Sequence, residues 1–444
     1  MSSHARQTLL RIDAEGLADP SAAPGGGRSL LLRFTPDSAF VLASGGPDQI
    51  DAHPDANLAE RIRLPGVLIP GLVNAHTHLD LSHIGPLPHD PALGFGPWLA
   101  MVKKNRATSA EKVRASVVLG ARLSLAGGVI AVGDIAGAGR AEPLEALRGS
   151  PLSGVCYLEC FGHGARIPSA VARARTALAA HASRGSRVAI GLSPHAPYSA
   201  GRGLYEGLAA TGAPMCTHLA ESREEREFIA TRGRSGQLHD LLVGLGVWDD
   251  SISESIAGRS GVAHIADLLA TTPMLLAHVN DVDDADIAAL ARAGAHVVWC
   301  PRGHRYFGRP ESVGPHRWRD MLAAGVNVSL GTDSIINLPP QDASRLSPLD
   351  DARLLFRDEA ADPGALLRMI TANPARALGL DPRAFDLAPG PLAGLGVVEA
   401  EGSGDAARAV MASSAPPRLL FANGFSFAEP FDARFPRASP WITA

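Results

Sequence analysis

Short apolar runs alternate with longer amphipathic stretches through most of the 444-residue chain. In the amphipathic stretches, such as 110–128 and 284–295, apolar residues recur at helical spacing and a glycine stands near the C-terminal end. Strand alternating with helix about eight times predicts a parallel (β/α)8 barrel, although an open doubly wound sheet fits the alternation almost as well. The runs that predict strands are 67–79, 129–135, 154–161, 188–193, 215–220, 274–279, 296–300 and 326–331.

The two ends of the chain have a different pattern. Short strands are predicted at 30–35 and 39–44 near the N-terminus, and at 396–402 and 418–424 near the C-terminus, between residues rich in Gly, Pro and Ala. Neither end is long enough to hold a large core alone, so we expect both to form one small β-sandwich domain. We therefore predict an α/β protein with two domains. The small domain consists of residues 1–66 and 385–444, and the barrel consists of residues 67–384.

The composition is that of a globular protein, with 46% hydrophobic and 19% charged residues. A formal net charge of −4 provides no basic surface for nucleic acid. No stretch approaches the ~18 uninterrupted apolar residues of a membrane-spanning helix. Arg11, Asp13 and Glu15 interrupt the N-terminal region before the apolar core of a signal peptide could form. We therefore expect a cytoplasmic homo-oligomer that binds a small molecule and neither nucleic acid nor membranes.

Residues that can bind a metal follow several of the predicted strands. His76 and His78 are two residues apart at the end of the first strand, so both face the same side. Each residue alone has an ordinary structural explanation, as a buried histidine or a helix-capping carboxylate. Together they fall at the strand ends where barrel enzymes have their active sites, and such a set suits a divalent ion with a position left for water. The set consists of His76, His78, His218, Glu221, His278 and Asp333.

The order of the motifs PGLVNAHTHL, HLAE, AHV, CP and GTDS resembles that of the amidohydrolase superfamily, from about residue 64 to 380. Within it, the hydrolytic deaminase and chlorohydrolase branch is most similar. The segments NAHTHLDLS, GFGPWLAMVKKNR, SPHAPYS and HLAESREEREF resemble those of aminofutalosine deaminases and related nucleoside deaminases. The resemblance implies a hydrolase that replaces an amino group on an aminopurine nucleoside-like compound and releases ammonia, with aminofutalosine as the leading candidate substrate.

The resemblance also implies a role for each site residue. Glu221 would pass a proton to the substrate ring nitrogen, His278 would polarise the attacking water, and Asp333 would accept the water's proton. One divalent metal ion, zinc or iron, would supply hydroxide at neutral pH. Its implied ligands are His76, His78, His218 and Asp333.

The substrate pocket is expected between Trp98, His195 and the loop 302–307. An aromatic ring, imidazoles and guanidinium groups together suit a flat heterocycle that carries an anionic group. The loop CPRGHRYFG departs from the family's usual turn after CP, because Gly303 and His304 occupy that turn. The candidate substrate contacts are Trp98, Arg106, His195, Arg302 and His304, with Arg305 as a further candidate partner for the anion.

Lysine occurs only at positions 103, 104 and 112. Binuclear members of the superfamily often bridge two metals with a carbamylated lysine from the fourth strand, and no lysine follows Lys112 to form that bridge. This favours a single metal ion. Two other functions stay open at this point: displacement of chloride or an alkylamine from a triazine-like ring, and a metal-binding barrel without catalysis. The presence of Glu221, His278 and Asp333 together favours catalysis.

Overall fold

The computed structural model describes residues 8–20, 28–35, 37–182, 185–401, 404–429, 431–432, 434–435, 437–438 and 441. The strands are β1 (Thr8–Asp13), β2 (Gly16–Leu17), β3 (Ser29–Thr35), β4 (Ser38–Gly45), β5 (Glu60–Arg63), β6 (Val67–Pro70), β7 (Leu72–Thr77), β8 (Val129–Ala136), β9 (Ser153–Cys160), β10 (Val188–Pro194), β11 (Cys216–Leu219), β12 (Leu275–His278), β13 (His296–Trp299), β14 (Asn327–Leu330), β15 (Gly390–Leu392), β16 (Gly394–Val398), β17 (Arg418–Ala422), β18 (Phe425–Ser426) and β19 (Arg437–Ala438).

The α-helices lie mainly between the barrel strands. They are α1 (Pro47–Asp51), α2 (Phe95–Asn105), α3 (Ala110–Ala126), α4 (Glu142–Arg148), α5 (Ile167–His181), α6 (Arg202–Ala209), α7 (Arg223–Ala230), α8 (Gln237–Gly244), α9 (Asp250–Ser255), α10 (Gly261–Leu269), α11 (Asp284–Arg292), α12 (Pro301–Tyr306), α13 (Arg309–Ser312), α14 (Trp318–Ala323), α15 (Pro348–Glu359), α16 (Pro363–Met369), α17 (Ala372–Ala377) and α18 (Ala406–Ala412). Among the described residues, no helix combines the length and the apolar character needed to cross a membrane.

Eight strands, β7 to β14, run parallel and follow one another in chain order. Hydrogen bonds join β7–β10 into one four-stranded sheet and β11–β14 into another. Parallel bridges between Leu192 and Met215 and between Thr77 and Asp333 connect the two sheets at both edges. The eight strands thus complete a ring, and the predicted (β/α)8 barrel is confirmed. All eight residues of β8 are buried, as expected for parallel strands covered on both faces.

Two buried side chains join the first and last barrel strands. The side-chain amide of Asn74 donates to Oγ1 of Thr332 at 2.8 Å, and the backbone N–H of Thr332 donates to Oδ1 of Asn74 at 3.1 Å. One residue further along, the backbone N–H of Asp333 donates to the carbonyl of His76 at 3.1 Å. These bonds determine the register of the closing strands and bring His76 beside Asp333.

The predicted β-sandwich from both chain ends is also present. One sheet has the order β15-β4-β3-β1-β5 and the other has the order β19-β18-β17-β16-β6-β2. Their facing side chains share one core, in which the Phe34 ring lies 5.5 Å from that of Phe421 and 5.4 Å from that of Phe435.

The run predicted as one strand over 67–79 is divided in the structure. Its first part, β6, pairs with β16 in the small domain, and its second part, β7, is the first barrel strand. The division falls at Gly71, where a Cβ atom would lie 2.3 Å from Cδ1 of Ile130. Apolar residues continue on both sides of Gly71, so the hydrophobic pattern alone does not reveal the change of sheet.

The closing bonds predict the effect of Asn74→Ala. This substitution removes both bonds to Asn74 and leaves the buried N–H and hydroxyl of Thr332 with only their longer contacts to the carbonyls of His76 and Asp333, at 3.2 and 3.4 Å. It should lower the free energy of unfolding by about 2 kcal/mol. Urea denaturation followed by circular dichroism measures the change. Asn105→Ala is the control, because its side chain bonds the Met101 carbonyl on an exposed helix face. Equal effects of the two substitutions would contradict the closing role of Asn74.

Candidate active site

Imidazole groups from four barrel positions converge at the C-terminal ends of the strands. Ligand-type atoms of His76, His218 and His278 lie within 4.8 Å of one another, as do those of His76, His78 and Asp333. Nε2 of His78 is 3.4 Å from Nε2 of His218 and 3.4 Å from Oδ1 of Asp333. The structure therefore brings together all the residues predicted from the sequence as metal ligands, with His278 beside them.

The hydrogen bonding of these groups fits a bound metal ion. Within the described part of the chain, neither ring nitrogen of His76 has a hydrogen-bond partner, nor does Nδ1 of His78, although all three atoms are buried. Unpaired buried nitrogens are costly, and a cation would reduce that cost by binding one nitrogen of each ring. Nδ1 of His218 donates to the His195 carbonyl at 3.0 Å, which leaves Nε2 directed at the cluster.

Burial sets the charge state of the cluster. It lowers the pKa values of His76, His78 and His278 well below the usual histidine range, and the neighbouring imidazoles lower them further. These histidines are therefore neutral, as metal ligands must be. Burial also raises the pKa of Asp333 to about 7, with a further contribution from the Glu221 carboxylate. A cation beside Asp333 would favour its charged form.

The backbone is strained where the strands end at this site. Ala220, His278, Val279 and Asp333 have φ angles of 49°, 73°, 52° and 54°, in the left-handed region that non-glycine residues avoid. Hydrogen bonds between the segment that follows β11 and the segment that follows β12 hold this conformation at Ala220, His278 and Val279. The N–H of Val279 donates to the Leu219 carbonyl and that of Asp281 to the Ala220 carbonyl, both at 2.9 Å.

Glu221 is buried beside the histidine cluster, and Glu225 fixes its backbone. The carboxylate of Glu225 accepts from the N–H of Ala220 at 2.8 Å and from the N–H of Glu221 at 3.1 Å. Burial raises the pKa of Glu225 to about 8. Nη2 of the buried Arg309 lies 3.8 Å from Oε1 of Glu221, and its guanidinium group covers the Phe307 ring. The Glu221 side chain is thus held between a cation and the cluster.

Sequence reasoning missed Glu225, Arg309, Asn280 and Asn337. Asn337 donates to Oδ2 of Asp333 and thereby orients it. The only sequence signal for Glu225 is its spacing from Ser222, which indicates a helix start. Nothing in the sequence distinguishes Arg309 from a surface arginine.

The site opens into a cavity of 930 Å³. His78, His218, Glu221, His278 and Asp333 line its inner end. Phe95, Trp98, Phe161, Leu245 and Phe307 contribute apolar wall further out, and Arg106, Arg140 and Arg166 also reach it. A cavity with this lining accommodates a flat molecule whose polar groups face the cluster and the arginines.

Three of the five predicted substrate contacts line this cavity: Trp98, Arg106 and His195. Nη2 of Arg106 is 3.3 Å from Oδ2 of Asp80, whose pKa burial raises to about 6. Nδ1 of His195 lies 2.6 Å from Oγ of Ser199, and burial lowers the His195 pKa to about 4.

Arg302 and His304 lie elsewhere, because the buried side of α12 faces α15 and the loop after β12. Nη2 and Nε of Arg302 donate to Oδ2 of buried Asp351 at 2.7 and 3.0 Å, which anchors α12 to α15. His304 is bonded to Asn280. Neither residue lines the cavity. Arg305 forms an ion pair with Asp358 at the surface and also lies outside the cavity.

A parallel barrel with such a histidine–aspartate cluster at its strand ends defines the class of metal-dependent barrel hydrolases. The family model described as "Amidohydrolase family" matches residues 67–424, and the chain belongs to this family. The predicted family membership is thereby confirmed, and the protein is a hydrolytic enzyme with a small-molecule substrate.

Similar proteins include deaminases and a chlorohydrolase. The chain is 32% identical over 361 residues to an aminodeoxyfutalosine deaminase of Deinococcus radiodurans, covering 76% of this chain and 79% of that protein. The crystal structure of Helicobacter pylori aminofutalosine deaminase superimposes with a TM-score of 0.72 at 18% identity, covering 95% and 100% of the two chains. Atrazine chlorohydrolase from Arthrobacter aurescens TC1, complexed with zinc, has a TM-score of 0.67 at 18% identity, with 93% and 95% covered.

The anchoring of α12 predicts the effect of Arg302→Ala. It removes the charged partner of the buried Asp351 and leaves only the bond from the backbone N–H of residue 302. The free energy of unfolding should fall by about 3 kcal/mol, while KM stays within about twofold. Arg305→Ala on the same helix is the control, since its exposed ion pair contributes below about 1 kcal/mol. Urea denaturation and steady-state kinetics test both. A large rise in KM with unchanged stability would make Arg302 a substrate contact after all.

Proposed function

We propose that the protein is a hydrolytic deaminase whose substrate is aminofutalosine. The observation that carries the proposal is the buried carboxylate of Glu221, which lies beside the histidine–aspartate cluster at the inner end of the cavity. Attack on an electron-poor ring needs a nucleophile and a proton donor at one place, and this end of the cavity has residues for both. The name of the Deinococcus radiodurans relative supports the choice of substrate.

His76, His78, His218 and Asp333 would hold one divalent ion, with zinc favoured over iron. A divalent ion there supplies a nucleophile at neutral pH by lowering the pKa of water from ~15.7 toward ~7. The absence of any lysine after Lys112 supports a single ion, because no lysine is available to bridge two. The unpaired nitrogens of His76 and the neutral state of His76 and His78 support this ligand set.

The remaining steps belong to side chains of the chain itself. Water adds to the carbon that bears the amino group, and Asp333 takes the proton that the water releases. Glu221 protonates the ring nitrogen as negative charge develops there, and His278 polarises the reacting centre. Asp333 then delivers its proton to the amino group, which leaves as ammonia, and Glu221 recovers its proton from the ring. One water is consumed and one ammonia is formed.

Arg106 is proposed as the partner of the substrate's carboxylate. It alone among the three arginines predicted for this role lines the cavity, and its side chain keeps 25% exposure. Trp98 lines the same cavity and stacks on Phe95 with 5.2 Å between ring centroids. Arg140 also reaches the cavity, but its guanidinium group is bonded to Glu142 and to the Thr108 carbonyl.

Glu221→Gln tests the proton transfer. Gln keeps the shape of Glu but cannot give and recover a proton, so kcat should fall by at least ~100-fold while the metal content stays near one equivalent. His76→Ala is the counterpart, since it should lose both metal and activity. Elemental analysis of protein purified without added metal, together with ammonia release, distinguishes the two. Near-normal turnover by Glu221→Gln removes Glu221 from the mechanism, and two retained ions in the native protein contradict the single-metal proposal.

Arg106→Gln tests the substrate. Loss of a charge partner should lower kcat/KM for aminofutalosine by about 30-fold, a cost of about 2 kcal/mol, while kcat/KM for adenosine changes less than about threefold. Arg140→Gln is the matched control, and Arg106→Lys should restore part of the loss. Equal losses on both compounds, or activity of the native enzyme confined to triazines or free bases, would overturn the proposed substrate and leave the hydrolase chemistry intact.

A further inference from the structure

Two buried histidines are hydrogen-bonded, directly or through Asn280, to the segments that carry Glu221 and His278. Neither has a part in the proposed reaction. They are His304 on α12 and His316 before α14, with 5% and 8% of their surface exposed. Both come from the segment 300–316, which contains the turn that departs from the family's usual pattern. Neither lines the cavity, so contact with the substrate does not explain them.

His304 is connected to Glu221 through Asn280. Nδ2 of Asn280 donates to the backbone carbonyl of Glu221 at 3.0 Å, so Oδ1 of Asn280 is left to accept. Nδ1 of His304 lies 3.1 Å from this oxygen and must therefore be the donor. Two hydrogen bonds in series thus run from α12 to the backbone of Glu221.

His316 holds the other catalytic loop directly. Its Nε2 donates to the carbonyl of His278 at 2.9 Å, since a carbonyl can only accept. The His316 ring stacks on Trp299 with 4.3 Å between centroids and 9° between planes, which fixes its orientation. The carbonyl that it holds belongs to the residue with φ of 73°, where the backbone needs external support.

Both imidazoles are in the charge state that these bonds require. Burial lowers the pKa of His304 to about 4 and that of His316 to about 3, so both rings are neutral at pH 7. A neutral ring donates from one nitrogen only, and the bonds to Oδ1 of Asn280 and to the His278 carbonyl each require that donor. Arg302 fixes the position of α12, the helix that carries His304, because its bonds to Asp351 join α12 to α15.

We propose that His304 and His316 are positioning residues, which hold the backbone carbonyls of Glu221 and His278 and so set the spacing of these two side chains. The proposal rests on the catalytic roles given to Glu221 and His278 above. Nδ1 of His304 holds the Glu221 carbonyl through Asn280, and Nε2 of His316 bonds the His278 carbonyl directly. Their effect is on the geometry of the reacting groups, not on affinity for the substrate.

Removal of the His304 bond tests this on two independent readouts. His304→Ala should lower kcat about tenfold with KM within twofold, because misplacement of catalytic groups affects the chemical step. Amide hydrogen exchange, read by mass spectrometry, should become at least about tenfold faster in peptides that cover 217–223 and 276–282. Asn280→Ala removes the same connection from its other side, and keeps the test decisive if His304→Ala does not fold.

Two further variants separate positioning from a general loss of packing. His304→Asn places a donor where Nδ1 lies and should restore both kcat and slow exchange. His296→Ala is the matched control, because His296 also bonds an asparagine, Asn327, but at the opposite end of β13. It should leave exchange in the two peptides unchanged. The double variant Asn280→Ala/His304→Ala should be no slower than either single variant, since all three break one connection.

The experiments distinguish a failure of the positioning proposal from a failure of the proposed function. Unchanged exchange in both His304→Ala and Asn280→Ala, multiplied losses of kcat in the double variant, or failure of His304→Asn to restore either readout would each overturn the positioning role. If the native enzyme releases no ammonia from any aminopurine, the deaminase proposal fails. The exchange measurements then still decide whether His304 holds the loop.

Discussion

The pairing of the first barrel strand with the last is the constraint on which the site depends. Asn74 and Thr332 are 258 residues apart in the chain, and their reciprocal hydrogen bonds close the ring at one register only. A shift of that register by one residue would turn the side chains of β7 to the other face and remove His76 from the cluster. Because the same edge bonds the carbonyl of His76 to the N–H of Asp333, closure of the barrel also brings together the histidine–aspartate cluster.

A second constraint is the strain that the strand ends carry. Four non-glycine residues at the site have left-handed backbone, and each such residue costs of order 1 kcal/mol or more. The cost is offset by buried hydrogen-bond partners outside the cavity, among them Glu225, Asn280 and His316. These partners hold the backbone from outside the cavity, while the side chains of Glu221 and His278 line it.

The barrel and the clustering of His76, His78, His218 and Asp333 could be predicted because both leave local signals. Strands buried on both faces are continuous apolar runs, and polar residues directly after such runs meet at one end of a barrel. The change of sheet at Gly71 left no such signal, because the apolar pattern does not change there. The placement of Arg302 and His304 depends on which side of α12 packs on its neighbours. That side is decided by a partner 49 residues away, Asp351, and not by the spacing within the loop.

The turn at Gly303 and His304 departs from the family's usual pattern, yet neither residue lines the cavity. This separation has a physical explanation. A residue that contacts the substrate must match the substrate's atoms, so a change of residue type there changes specificity. A residue that holds a backbone carbonyl needs only a donor at one point, since every backbone offers the same acceptor. In segment 300–316, His316 bonds the carbonyl of His278 directly, and His304 acts on the carbonyl of Glu221 through Asn280. The predicted metal ligands and Glu221 can therefore keep their positions while the turn at Gly303 and His304 departs from the family's usual pattern.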